Sequence, residues 1–110
     1  MAPMEWAVVY LNDSVRAEVE ALSPEHRAKF RRIVELMQSK GLEQVREPYV
    51  KHLEGGLWEM RLSGPSTIAR AIYVAARGRR IVVLHAFVKK TEKTPRRALE
   101  IARARAKEVV

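Results

Sequence analysis

The sequence predicts an α+β fold, one domain over residues 1–110: a small, twisted, mainly antiparallel sheet with an N-terminal helical hairpin and a C-terminal helix, in the order β-α-α-β-β-β-α. Three observations predict it. Four short stretches are alternating apolar and polar, or β-branched and aromatic, as strands are. Two stretches after the first strand carry apolar residues at helical spacing. The last three strands are separated only by short turn signals, which makes them an antiparallel meander.

Residues 5–11, EWAVVYL, form the first strand and end at Asn12-Asp13. Either of these caps a helix over residues 13–22, where Val15, Val19 and Leu22 share one face. Ser23-Pro24 opens a second helix, and Glu25 complements its N-terminal dipole. Phe30, Ile33, Val34 and Met37 make its apolar stripe, and Gly41 is its C-cap. Arg27, Lys29, Arg31, Arg32 and Glu35 fall on the charged faces of this hairpin and read as solvated.

Residues 42–56 read as irregular, punctuated by Pro48 and Gly55-Gly56. Leu57 to Leu62 then alternates, with Leu57, Glu59 and Arg61 on one side and Trp58, Met60 and Leu62 on the other. Residues 68–76, IARAIYVAA, form the next strand, with Arg70 on the face of Ile68, Ile72 and Val74. An arginine among such neighbours is not ordinary surface. Residues 81–88, IVVLHAFV, read as a buried strand. Thr94-Pro95 opens the last helix, Thr94 as N-cap and Pro95 at the first helical position. Leu99, Ala102, Ala106 and Val109 lie along one side of it. The two N-terminal helices are expected on one face of the sheet, leaving the other shallow and partly open.

Composition narrows the function. The chain carries a net charge of +8, distributed unevenly. Residues 1–50 hold 7 Lys/Arg against 8 Asp/Glu, whereas residues 51–110 hold 14 against 5. A basic half of this kind suits a polyanionic partner: nucleic acid, the ribosome or an acidic protein segment. No apolar run reaches the roughly 20 residues of a membrane span, and residues 1–5 have no signal-peptide pattern. The chain has no cysteine. That excludes disulfides and thiolate metal sites and fits a cytoplasmic protein. No histidine pair has metal-ligand spacing, so neither metal nor cofactor is expected.

The candidate chemistry lies in the basic half. Arg61 and Arg70 sit on neighbouring strands, and Lys89 and Lys90 end the third, with Lys93 and Arg96 just beyond. Such cations can hold phosphate and stabilise extra charge on a pentacoordinate phosphorus. The same loop also reads as a solvated basic surface, and Arg61 as a cross-strand partner of Glu59 or Glu54. His26 reads as surface. His85 is either a core histidine or an acid–base group, and His52, beside Lys51, can approach a ligand.

The segments Gly56-Leu57-Trp58-Glu59-Met60-Arg61, Arg70-Ala71-Ile72-Tyr73 and LHAFVKKTEKTP, residues 84–95, resemble the RelE/ParE superfamily of toxins, above all the phage-derived, HigB-type branch. The resemblance covers residues 5 to about 108. It implies a toxin of a type II toxin–antitoxin system: an endoribonuclease that cuts mRNA without metal, typically on the ribosome. It also implies a cognate antitoxin, often a helix-turn-helix DNA-binding protein. By position it makes Arg61, Arg70 and Lys90 the catalytic cations, with Lys89 beside them. His85 joins them as acid–base candidate, and Lys51, His52, Lys89, Lys93 and Arg96 as RNA contacts. Arg61→Ala or Arg70→Ala is then expected to relieve growth arrest with folding intact. RelE has a tyrosine in its C-terminal segment; here the tyrosines are Tyr10, Tyr49 and Tyr73. General-base work then falls to His52, His85, a lysine of lowered pKa or the ribosome. The competing readings are a ParE-like inhibitor of DNA gyrase and a non-catalytic phage-derived binding protein.

Overall fold

The computed structural model describes residues 5–91 and 93–110. The readings made on Met1–Met4 and on Glu92 of the lysine motif lie outside the described residues. Strand β1 (Ala7–Tyr10) is followed by helices α1 (Asp13–Glu20) and α2 (Pro24–Lys40), strands β2 (Val50–Glu54), β3 (Leu57–Arg61), β4 (Ile68–Ala76) and β5 (Arg80–Lys89), and helix α3 (Arg96–Ala106). The five strands form one sheet in the order β1-β5-β4-β3-β2. β2 through β5 are antiparallel neighbours, and β1 joins β5 in parallel.

The caps follow local chemistry. Asn12 Oδ1 accepts the Val15 N–H at 3.0 Å, and Ser23 Oγ accepts that of His26 at 3.2 Å. Gly41, at φ 90°, ends α2 in a conformation that costs a side-chain-bearing residue strain. Thr94 departs from expectation. α3 begins at Arg96 with Pro95 as its cap, and the Thr94 hydroxyl donates instead to Glu59 Oε2 at 2.8 Å. A buried carboxylate is a stronger acceptor than any use a helix end has for that hydroxyl.

The expected meander gains a member. Part of the stretch read as irregular is β2, in which Val50 pairs with Met60 and His52 with Trp58. Its polar, Pro-flanked sequence masks a strand that lies at the sheet edge. β5 is also less regular than its apolar run suggests. Ile72 pairs with His85 but Tyr73 with Val83, so Leu84 is the extra residue of a bulge.

Both faces of the sheet are covered. Val15, Val19, Phe30, Ile33 and Met37 of the hairpin pack on Met60, Ala71, Tyr73, Ile81 and Val83. On the other face, Ala98 and Ala102 of α3 pack on Leu57, Ile72, Val82 and Leu84. This corrects the expectation of an open face. Small alanines let α3 approach closely, and a side chain of leucine size buried there contributes about 1.5–3 kcal/mol. His26 is also corrected: it is buried, its Nε2 2.9 Å from Thr67 Oγ1.

β1 pairs only with residues 80–83 of β5, so the β5 edge beyond them needs other partners. Glu18 of α1 accepts the Ala86 N–H at 3.2 Å, and Arg105 of α3 donates to the Leu84 carbonyl at 2.9 Å. Arg105 also donates to Glu18 Oε1 at 2.9 Å, which closes the edge from both faces of the sheet.

Candidate functional site

Arg61 and Arg70 are Cα partners across β3 and β4. They nevertheless end in different surroundings. Arg70 is fully buried, with its Nε 3.4 Å from Oε1 of buried Glu59. Its Nη1 donates to the Ala69 carbonyl at 2.9 Å and to Ser63 Oγ at 2.8 Å. Thr94 and Arg70 thus share the Glu59 carboxylate and tie the start of α3 to the sheet.

Arg61, half-buried at the end of β3, lines a cleft of about 430 Å³. Lys29 and Arg32 of α2, Tyr49 and Ser63 line it too. Three cations therefore surround one concavity. Tyr49 is 41% exposed there, and its carbonyl accepts the Arg61 N–H at 2.8 Å, so the two residues are placed together. Lys29 Nζ donates to the Ser63 carbonyl. Ser63 consequently joins the cleft wall to the buried Arg70.

The other expected residues divide into groups. Lys89 pairs in register with Ile68, two residues past the Arg61–Arg70–Phe87 row, so it reaches the same end of the sheet. It is buried, whereas Lys90, Lys93 and Arg96 beyond it are exposed. His85 is 9% exposed and held in place: its Nδ1 lies 2.9 Å from Glu18 Oε1, and its ring stacks on Phe87 at 5.0 Å. Burial raises the Glu18 carboxyl. The opposing hydrogen bonds from Arg105, His85 and the Ala86 N–H outweigh it and hold the carboxyl below its ordinary value. His85 is thus part of the edge closure of β5.

Lys51 and His52 belong to a second cleft, of about 650 Å³, beside Trp58 and Tyr73. His52 Nε2–H donates to the Gly55 carbonyl at 2.7 Å, and its ring centroid lies 4.8 Å from that of Trp58. Burial pushes the Tyr73 phenol well above its usual value, so it stays protonated. Lys29, Arg32 and Tyr49 are the site residues that the sequence reading left aside. The signal for the first two was a pair of cations one turn apart, at i and i+3, flanking the apolar stripe at Ile33.

Among the described residues, no group of three or more His, Cys, Asp or Glu is placed to hold a metal ion. No helix among them is long and apolar enough to cross a membrane. The fold and site define a small α+β protein with a cationic cleft between a helical hairpin and the sheet end. Residues 17–107 match the family described as Phage derived protein Gp49-like (DUF891), and the chain belongs to that family. In general terms this is a RelE/HigB-like toxin family. No curated protein matches the chain.

Proposed function

We propose that this chain is the HigB-type toxin of a type II toxin–antitoxin system, an endoribonuclease that cuts mRNA in the Arg61 cleft. The observation that carries this reading is the gathering of Lys29, Arg32 and Arg61 around an exposed Tyr49 in a Gp49-like chain. Arginine forks suit the non-bridging oxygens of one phosphate, and the lysine adds a point charge at the mouth. Tyr49 offers a face on which an unstacked base can lie.

In the reaction, the ribose 2′-hydroxyl attacks the adjacent phosphorus and gives up its proton. The bond from phosphorus to the 5′-oxygen breaks, and that oxygen takes up a proton. A 2′,3′-cyclic phosphate and a 5′-hydroxyl result. Charge on the equatorial oxygens is greatest at the pentacoordinate stage, so preplaced cations stabilise that stage more than the substrate. With His85 held by Glu18 and His52 in the second cleft, Lys29 and Tyr49 are the cleft groups able to move protons. Lys90, Lys93 and Arg96 extend the positive field that draws RNA to this end of the sheet. The proposed setting is the cytoplasm and the ribosome, and the proposed antagonist an antitoxin with an acidic segment that covers the basic face.

The test is induced expression in bacteria without antitoxin, with RNA 5′ ends mapped within minutes. New ends inside translated frames, lost with Arg61→Ala at equal protein level, are expected. Growth arrest with intact mRNA and a DNA-damage response would move the assignment to gyrase. No arrest would leave a binding protein.

A further inference from the structure

The second cleft contains the largest exposed side chain of the β2–β3 hairpin. Trp58 is 39% exposed and belongs to neither apolar cluster of the core. An indole left partly open to solvent forgoes burial that a core position would give it. Its neighbour His52 is also exposed, and the Gly55 carbonyl fixes the imidazole so that the two rings sit 4.8 Å apart and 55° tilted. Two oriented aromatic rings thus line one open cleft.

The charges around them discriminate between possible ligands. Lys51 and Arg46 stand on the lining with Glu43 and Glu47. Two cations and two acids leave the lining without net formal charge, which gives a phosphate no advantage there. A neutral ring with exocyclic amino groups would find acceptors in the two carboxylates. Position adds a third constraint. The two clefts adjoin through the segment 47–51: Pro48 and Tyr49 line the first, and Glu47, Val50 and Lys51 the second. A single RNA strand laid across this segment reaches both clefts.

We propose that the Trp58–His52 cleft is a nucleobase subsite, which stacks one unpaired base of the same RNA strand whose phosphate lies at Arg61. This rests on the RNA-cleaving reading of the Arg61 cleft. The subsite adds affinity through a base face and makes cleavage depend on the identity of a nucleotide near the cut.

The test uses Trp6→Phe protein, in which Trp58 is the sole tryptophan, and an uncleavable 2′-O-methyl cytidylate hexamer. An abasic hexamer of equal charge serves as the control. The cytidylate hexamer is expected to quench Trp58 fluorescence, and the abasic one to bind without quenching. Trp58→Ala is expected to weaken the cytidylate hexamer roughly tenfold, leave the abasic one unchanged, and be largely rescued by Trp58→Phe. Arg61→Ala should weaken both. Equal weakening of both oligomers by Trp58→Ala, with Trp58→Phe no better, would mark Trp58 as structural and overturn the subsite. Arg61-dependent binding without quenching would overturn the subsite and leave the RNA reading standing. Binding of neither oligomer would overturn both. Quenching by an amphipathic antitoxin peptide, with none by RNA, would reassign the cleft to a protein partner.

Discussion

Arg61 and Arg70 stand opposite each other on neighbouring strands, carry the same group and belong to the same motif set. One lines an open cleft with Lys29 and Arg32; the other lies in the interior against Glu59. The difference is made by what lies over each end of the ladder. Thr94 and the start of α3 close over the Glu59–Arg70 pair, whereas the rim of α2, Tyr49 and Ser63 stand around Arg61 and leave a cleft open. Matching position in a motif therefore does not give two residues the same task. A buried ion pair is costly to break because removing one partner leaves the other desolvated. A half-buried cation on a cleft wall keeps part of its hydration, so removing it leaves no fully desolvated carboxylate behind as removing Arg70 does.

The largest expected effect breaks the buried side of this comparison. Glu59→Ala or Arg70→Ala should cost about 3–5 kcal/mol in urea unfolding, and any loss of toxicity would follow from loss of folded protein. This differs from the expectation that folding survives Arg70→Ala, because Arg70 is buried against Glu59. A joint Arg70→Leu and Glu59→Met replacement should recover much of the loss. If Arg70→Ala melts like the native chain, the contrast between the two arginines fails. Next comes the exposed side. Arg61→Ala should lower RNA cleavage about 100-fold while costing far less stability than Arg70→Ala, read by cleavage rate and melting of one preparation.

Thr94→Val sharpens the comparison at its boundary. It removes the hydroxyl that Glu59 accepts and should cost about 1 kcal/mol in chemical denaturation. Glu18→Gln probes a partly buried network and should cost about 1 kcal/mol at neutral pH, after screening by solvent. Because the native carboxyl lies below the ordinary 4.5, its contribution is present above that value. It disappears as pH falls through the lowered native pKa. The native and Glu18→Gln melting curves should therefore converge in acid. A gap that stays constant down to pH values below the carboxylate range would refute the role given to Glu18. The smallest effect belongs to Arg103→Ala. Arg103 meets Glu54 through two 2.7 Å bonds and lowers that carboxyl, yet both groups lie in solvent. Its loss should fall within the scatter of a thermal melt.

Much of the fold was legible because local rules and global packing agree. Asn12, Ser23 and Gly41 cap where their chemistry demands, and the stripe through Phe30, Ile33 and Met37 packs as its period implies. β2 escaped because an edge strand need not be apolar on either face. The Leu84 bulge escaped because an unbroken apolar run carries no mark of register. In the site, Arg61 stood out by its motif. Lys29 and Arg32 did not, since a charged helix face looks the same in sequence whether water or a cleft lies beyond it. Tyr49 sat in a stretch without periodicity.

By itself the sequence determined the element types apart from β2, the capped starts of α1 and α2, the alternation that gives β3 two distinct faces, and the excess of positive charge in the second half. These depend on neighbours within a few residues, whose sterics and hydrogen bonds act whatever the rest of the chain does. Only the tertiary structure decided that α3 covers the second face and that Arg70 is interior. It alone brought cations from α2, 29 positions before Arg61 in the nearer case, to the same cleft. Burial and convergence depend on which surfaces meet, and residues far apart in the chain settle that together.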